Sequence, residues 1–203
     1  GADVLISSVS LASAKCEPGA LFIATEGAKH HGSEFLDQAI ANGAVAVLSD
    51  REIATELPLL IHPEPKAIAG AISDLVFGTS ASNMELFGVT GTNGKTSTTN
   101  YLHQLLIASG LKAGMSASTS RIVGDRELAA QLTSPEVTEL HWLLAQMRKV
   151  GANHAAIEVS AQALIRHRID GVRFEVVGFS NLSRDHLDDF QDMDQYLAAK
   201  AKL

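Results

Sequence analysis

Apolar and polar positions alternate along this chain with two periods, and the switches between them predict its elements. Ala20-Leu21-Phe22-Ile23-Ala24 is a short unbroken apolar run, as expected of a buried strand. Phe35, Leu36, Ala39 and Ile40 then recur at helical spacing, with Gly43 placed to end the helix. Ala44-Val45-Ala46-Val47-Leu48 predicts the next strand and Leu59-Leu60-Ile61 another. Ile68, Ile72, Leu75 and Val76 mark a helix with Pro65 near its start, where the missing N–H costs no hydrogen bond. Gly78-Thr79-Ser80-Ala81-Ser82-Asn83 is small and polar, so a boundary between two domains, 1–82 and 83–203, is expected there.

The second region opens with a strand at Leu86-Phe87-Gly88-Val89-Thr90, a glycine loop, and a helix running to about Ser109 and closed by Gly110. Leu140, Leu143, Leu144 and Met147 follow the i, i+3, i+4, i+7 spacing of an amphipathic helix. Ser134 is placed to cap that helix, Pro135 to occupy its first position, and Thr133 and Glu136 have capping-box spacing. Trp142 on this helix reads as packing. Two further apolar runs lead into Glu158-Val159-Ser160 and Ser180-Asn181 at strand ends. Strands alternating with helices predict an α/β fold with a mainly parallel sheet in three layers.

Composition narrows the function classes. Of 203 residues, 46% are hydrophobic, enough for a real core in one large domain or two small ones. The net charge of −7 argues against a general nucleic-acid binder, so any phosphate site must be local. No apolar run approaches the roughly 18 residues of a membrane helix, and no signal peptide is visible. One cysteine, Cys16, cannot form an internal disulfide and fits a reducing cytoplasm. It reads as a small semi-buried residue. His103, His141 and His154 share no metal-ligand spacing.

Gly91-Thr92-Asn93-Gly94-Lys95-Thr96-Ser97 lies between a strand and a helix. Glycines there let backbone N–H groups curl around one anion, and the helix N-terminus adds a favourable dipole. Lys95 would reach the β- and γ-phosphates of ATP, and the Thr96 hydroxyl would bind Mg²⁺. The general G-x-x-x-x-G-K-[ST] pattern is not met strictly, because Val89 stands at its first glycine. The alternative is a strand-to-helix turn carrying a solvated lysine. Glu158, at a neighbouring strand end, is either a second Mg²⁺ ligand beside Thr96 or an exposed carboxylate.

Thr90-Gly91-Thr92-Asn93-Gly94-Lys95-Thr96-Ser97 resembles the phosphate loop of the Mur ligases. Thr133-Ser134-Pro135, Glu158-Val159-Ser160, Asn181-Leu182-Ser183-Arg184-Asp185-His186-Leu187-Asp188 and Tyr196-Leu197-Ala198-Ala199-Lys200 resemble that family in order and spacing. The set is most similar to the branch that adds the third residue to UDP-N-acetylmuramoyl-L-Ala-D-Glu. The resemblance implies a small N-terminal uridine-binding domain followed by a partial phosphate-loop ATPase domain. It implies an ATP-dependent amide ligase of peptidoglycan biosynthesis working through an acyl phosphate. It also implies two Mg²⁺ ions, with His186 ligating one and Lys200 carbamylated. Partners would be the UDP-linked dipeptide and a diamino acid, L-Lys or meso-diaminopimelate, and the full-length protein would be a monomer.

The resemblance further implies substrate contacts at Ser13, Thr133, Ser134, Ser160 and Arg168, for each of which a capping or surface role is the alternative. Several positions depart from the family. Its Asp-Ser-Arg triplet reads Ala12-Ser13-Ala14, its Asp-Gly reads His31-Gly32, and its Ser-His after Ser160 reads Ala161-Gln162. Ser13 and His31 are either contacts or solvated loop residues. Rival functions are another ligase of the superfamily, folylpolyglutamate synthase included, and a nonenzymatic nucleotide-binding module. The remaining central strands and a C-terminal domain that selects the amino acid are expected beyond Leu203, leaving a 203-residue piece inactive, with an open apolar sheet edge.

Overall fold

The computed structural model describes residues 3–27, 29–185 and 188–203. Two sheets organise it. The front sheet is wholly parallel, with β1 (Ser8–Ser10), β2 (Ala20–Ala24), β3 (Ala44–Ser49) and β4 (Leu59–Ile61) in spatial order β1-β2-β3-β4. Its central strands are buried on both faces, which is why β2 and β3 read as continuous apolar runs rather than alternating ones. Helix α1 (Leu36–Ala41) covers one face through Leu36 and Ala39. Helix α2 (Pro65–Phe77) covers the other through Ile68, Ala69 and Ile72, with Pro65 in its first turn.

The rear sheet runs β10-β5-β9-β6-β7-β8. Strands β5 (Glu85–Thr90), β6 (Ala113–Ser116), β9 (His154–Glu158) and β10 (Val176–Phe179) are parallel. The pair β7 (Ser120–Val123) and β8 (Arg126–Ala129) adds an antiparallel hairpin on the far edge. Helix α3 (Lys95–Ala108) follows the glycine loop, and α4 (Val137–Lys149) lays Leu140, Leu143, Leu144 and Met147 on the sheet. Each such leucine contributes about 1.5–3 kcal/mol of apolar burial. Short α5 (Ala161–Ile165) and α6 (Met193–Lys200) pack together around Phe190 and Tyr196.

The two sheets are joined through α2 and α4. Gly70 on α2 meets the Asp170 backbone so closely that a Cβ would lie 2.5 Å from the Asp170 carbonyl oxygen. His141, on α4, is fully buried beside this contact. Its Nδ1 lies 2.7 Å from Thr79 Oγ1 and its Nε2 2.9 Å from the Asp170 carbonyl oxygen. Neutral imidazole satisfies both, donating from Nε2 and accepting at Nδ1. Burial pushes the His141 pKa down. The junction is therefore closed by a polar side chain with both ring nitrogens used.

The expected cap of α4 is different. The helix starts at Val137 with Glu136 at the N-cap, and Glu136 makes no side-chain cap bond. Ser134 instead lies buried two residues upstream, bonded to the β9 terminus. The capping-box spacing of Thr133 and Glu136 is thus unused, because Glu136 pairs with Arg168 at 2.8 Å.

Candidate active site

Three parallel strands, β5, β6 and β9, end side by side, and the polar residues at their carboxyl ends meet there. Beyond β5 the chain turns through Gly91 at φ 136° and Gly94 at φ 81°, and Gly94 is the N-cap of α3. Gly91 has a second reason to lack a side chain. A Cβ there would stand 2.0 Å from Ser180 Oγ and 3.0 Å from the Asn181 amide nitrogen.

That close approach lets the segment after β10 clamp the loop. The Thr92 amide donates to the Asn181 carbonyl at 2.8 Å, and the Ser183 amide donates to Thr92 Oγ1 at 3.0 Å. The Asn93 amide donates to Asn181 Oδ1 at 3.1 Å, while Asn181 Nδ2 returns a bond to the Asn93 carbonyl at 2.9 Å. Asn93 Nδ2 donates to Ser183 Oγ at 3.1 Å. A six-residue turn that would otherwise carry large backbone entropy is thus held by its own neighbours.

Below the loop, the Thr96 hydroxyl lies 3.0 Å from each oxygen of Glu158. Glu158 is 1% exposed and also accepts from the Ser118 amide at 2.8 Å. A buried carboxylate beside a helix-start hydroxyl offers the hard oxygen donors that suit Mg²⁺. Lys95 Nζ bends back to the Thr92 carbonyl at 2.8 Å, and Ser97 is exposed on the next position of the helix.

Lys200 reaches the same loop from α6. It is 2% exposed, donates to the Gly91 carbonyl at 2.6 Å, and lies 4.4 Å from the centre of the Tyr196 ring. Burial pushes its pKa down to about 8, the Lys95 charge adds to that, and Asp185 pulls the other way. A solvated helix lysine is excluded by that burial. His186 lies outside the described residues.

With this geometry in place, the comparisons decide the family. Residues 89–203 match the Mur ligase middle domain, and residues 5–93 match the Mur ligase family, catalytic domain. The chain belongs to the Mur ligase family. It is 45% identical over 205 residues to a UDP-N-acetylmuramyl-tripeptide synthetase of Leifsonia xyli subsp. xyli, covering 98% of this chain and 40% of that protein. It is 41% identical over 205 residues to a UDP-N-acetylmuramoyl-L-alanyl-D-glutamate–2,6-diaminopimelate ligase of Xanthomonas oryzae pv. oryzae, covering 99% and 41%. A solved structure of a ligase with that same name superposes with a TM-score of 0.80 at 28% identity, over 97% of this chain and 40% of the other. The chain thus spans about 40% of the length of these relatives.

The other positions that the Mur ligase resemblance singled out fall into two groups. Ser134 Oγ donates to the Glu158 carbonyl and accepts from the Ser160 amide, both at 3.1 Å. Ser160 Oγ caps α5 by accepting from the Ala163 amide at 3.1 Å. Both serines therefore sit within one turn of Glu158. Arg168 is not a free surface arginine: it is paired with Glu136 and mostly covered. Thr133 is half-buried nearby. Gln162, where Mur ligases often have histidine, donates to Asp189 Oδ2 at 3.0 Å.

Ser13 stands apart. Its Oγ donates to Gln38 Oε1 at 2.6 Å, so it fastens the turn after β1 to α1. His31 is buried rather than solvated. Its Nδ1 accepts from the Ser33 amide at 3.1 Å and its Nε2 lies 3.0 Å from Asp50 Oδ1. Glu26, His31 and Asp50 cluster closely enough to suggest a metal. Arg51 already bridges the two carboxylates, at 2.8 Å from Asp50 and 3.1 Å from Glu26, so a cation is supplied from within. Cys16 is buried, and burial raises its thiol pKa, which keeps it unreactive.

Sequence reasoning passed over a cleft of about 600 Å³ between the sheets. Its walls include the carboxyl ends of β1 and β2, the first turn of α4, and the β7–β8 hairpin. The hairpin was invisible because β8 is exposed and carries no apolar run. Trp142 packs on the core and lines this cleft as well. Among the described residues no helix is long and apolar enough to cross a membrane.

Proposed function

We propose that this protein works as an ATP-dependent ligase that joins UDP-N-acetylmuramoyl-L-Ala-D-Glu to a diamino acid. In this reading residues 1–82 bind the UDP end of the substrate, and residues 83–203 carry the ATP site. The observation that carries it is the contact of Thr96 with buried Glu158 beneath a clamped phosphate loop, with Lys200 arriving from α6. The names of the relatives supply the substrate class.

The chemistry has two steps. A carboxylate oxygen of the D-Glu residue attacks the γ-phosphorus of ATP, the bond to the β-phosphate oxygen breaks, and ADP leaves. The amine of the diamino acid then attacks the acyl carbon, phosphate leaves, and the amine loses a proton to give the amide. Lys95 swings from the Thr92 carbonyl to the β/γ-phosphates and stabilises the charge that moves during transfer. Thr96 and Glu158 fit a Mg²⁺ ion, which when bound neutralises phosphate charge. The resemblance adds His186 and Lys200 as holders of a second ion.

Lys200 suits carbamylation because the reaction with CO₂ needs the neutral amine, and burial has already moved its pKa to about 8. The carbamate would turn a cation beside Lys95 into an oxygen donor. A reducing cytoplasm and a monomer complete the reading. The test is phosphate release by the full-length protein given ATP, UDP-N-acetylmuramoyl-dipeptide and a diamino acid. Release that requires all three is expected; release that ignores the diamino acid would overturn the ligase reading.

A further inference from the structure

The cleft between the sheets holds an ion chain that the phosphate-loop chemistry does not use. Arg121, in β7, is 4% exposed, and its Nη1 donates to Glu139 Oε1 on the first turn of α4. The other oxygen of Glu139 lies 3.0 Å from Lys15 Nζ, which comes from the turn after β1. One carboxylate is thus shared by two cations, one from each side of the cleft. All three residues line it.

That sharing leaves Arg121 poorly provided. Its Nε has no partner among the described residues, and Nη2 reaches only the Leu132 carbonyl at 3.5 Å. A buried guanidinium with an idle donor is costly. Two of the nearby acids are engaged elsewhere, Glu136 with Arg168 at 2.8 Å and Glu26 with Arg51 at 3.1 Å, and a third, Glu17, is exposed to water. The start of α4 points its positive end to the same place, and its N-cap residue makes no side-chain bond to it. The arrangement has capacity for more negative charge than Glu139 supplies.

We propose that Glu139 is a built-in competitor for the diphosphate of a UDP-linked ligand, which binds by taking Lys15 and Arg121 from it. This rests on the reading that residues 1–82 bind the UDP end of the substrate, and it places the diphosphate of that end in the cleft, whose walls they share with the rear sheet. In the empty cleft Glu139 offsets the burial of Arg121. When the ligand arrives, a diphosphate takes the place of Glu139 on both cations, and Glu139, with 21% of its side chain exposed, turns to water. A nucleoside without phosphates takes no part in this exchange, so Glu139 tempers the affinity for the diphosphate and leaves that for the nucleoside alone. Val9, Leu11 and Leu128 give the same cleft an apolar wall.

Calorimetry on the full-length protein with UDP and with uridine as probes tests this. Wild type is expected to bind UDP about 10-fold more tightly than uridine. Glu139→Gln should tighten UDP about 3- to 10-fold and leave uridine unchanged. Lys15→Met, at a half-exposed position where folding is not at risk, should weaken UDP by a similar factor and also spare uridine. Glu139→Gln moving both probes equally, or weakening UDP, would overturn the proposal. If uridine binds and UDP gains nothing over it, the exchange falls while the substrate reading stands. If neither probe binds wild type, the substrate reading falls and takes the exchange with it.

Discussion

The phosphate loop and the front-sheet cleft are built by opposite means. At the loop, backbone conformation does most of the work: two left-handed glycines, a strand end and a helix start place Lys95, Thr96 and the loop amides within eight residues of chain. In the cleft, side chains from the turn after β1, from β7 and from α4 supply the charge, with Lys15 124 residues from Glu139 and Arg121 18. A side chain is strained at both of its glycines by positive φ and at Gly91 also meets Ser180 Oγ, and the loop's neighbours are bonded to one another. Of the Asp-Ser-Arg triplet that the resemblance led one to expect, only Ser13 remains, and the charge in the cleft comes from Lys15, Glu139 and Arg121 instead. A site written in the backbone is rigid and local; one written in side chains can be re-sourced.

Removing a loop group should therefore cost most. Lys95→Ala in the full-length enzyme is expected to lower turnover at least about 100-fold while circular dichroism stays unchanged. Near-normal turnover would remove Lys95 from the chemistry and break the contrast at its strongest point. Lys200→Ala should lose about 10- to 100-fold, and short carboxylic acids should restore part of it by replacing the missing oxygen donor. Mass spectrometry after trapping with labelled CO₂ should find the label on Lys200, more of it as the pH rises through about 8, where the amine becomes neutral.

The junction between the two regions should respond to acid. The buried His141 ring is held neutral, so the unfolded chain takes up a proton that the folded one resists. Stability from His141 is full above its unfolded pKa of about 6.5 and is lost as the pH falls below that toward the lowered native value. Thermal melts from pH 8 to 5 should show this, and His141→Gln should flatten the acid slope at a cost of about 1–3 kcal/mol at neutral pH. Smallest of all, Ser13→Ala should change UDP affinity by less than about 2-fold, since its hydroxyl is spent on Gln38. A large loss would return Ser13 to the cleft and narrow the difference between the two sites.

The same contrast explains what the sequence made legible. Strands β2, β3, β5 and β9 were readable because burial on both faces leaves an apolar run between their ends, and the loop because glycine placement is dictated by φ. The start of α4 misled, since Ser134 has the chemistry of a cap and its actual partners, the Glu158 carbonyl and the Ser160 amide, are 24 and 26 residues away. The burial of Lys200 against Gly91 spans 109 residues and leaves no local pattern. The Arg121–Glu139 pair was hidden for the same reason, as a mid-strand arginine looks solvated until its neighbours are known.

Strand β10 is bonded to β5, and Ser180, Asn181 and Ser183, which grip the phosphate loop, follow directly after it. The Thr92, Asn93 and Ser183 amides are all spent on that grip, so each exchanges with deuterium only when it opens. A nucleotide seated in the loop should oppose the opening, and slower exchange of these three amides on adding ATP would register its occupancy.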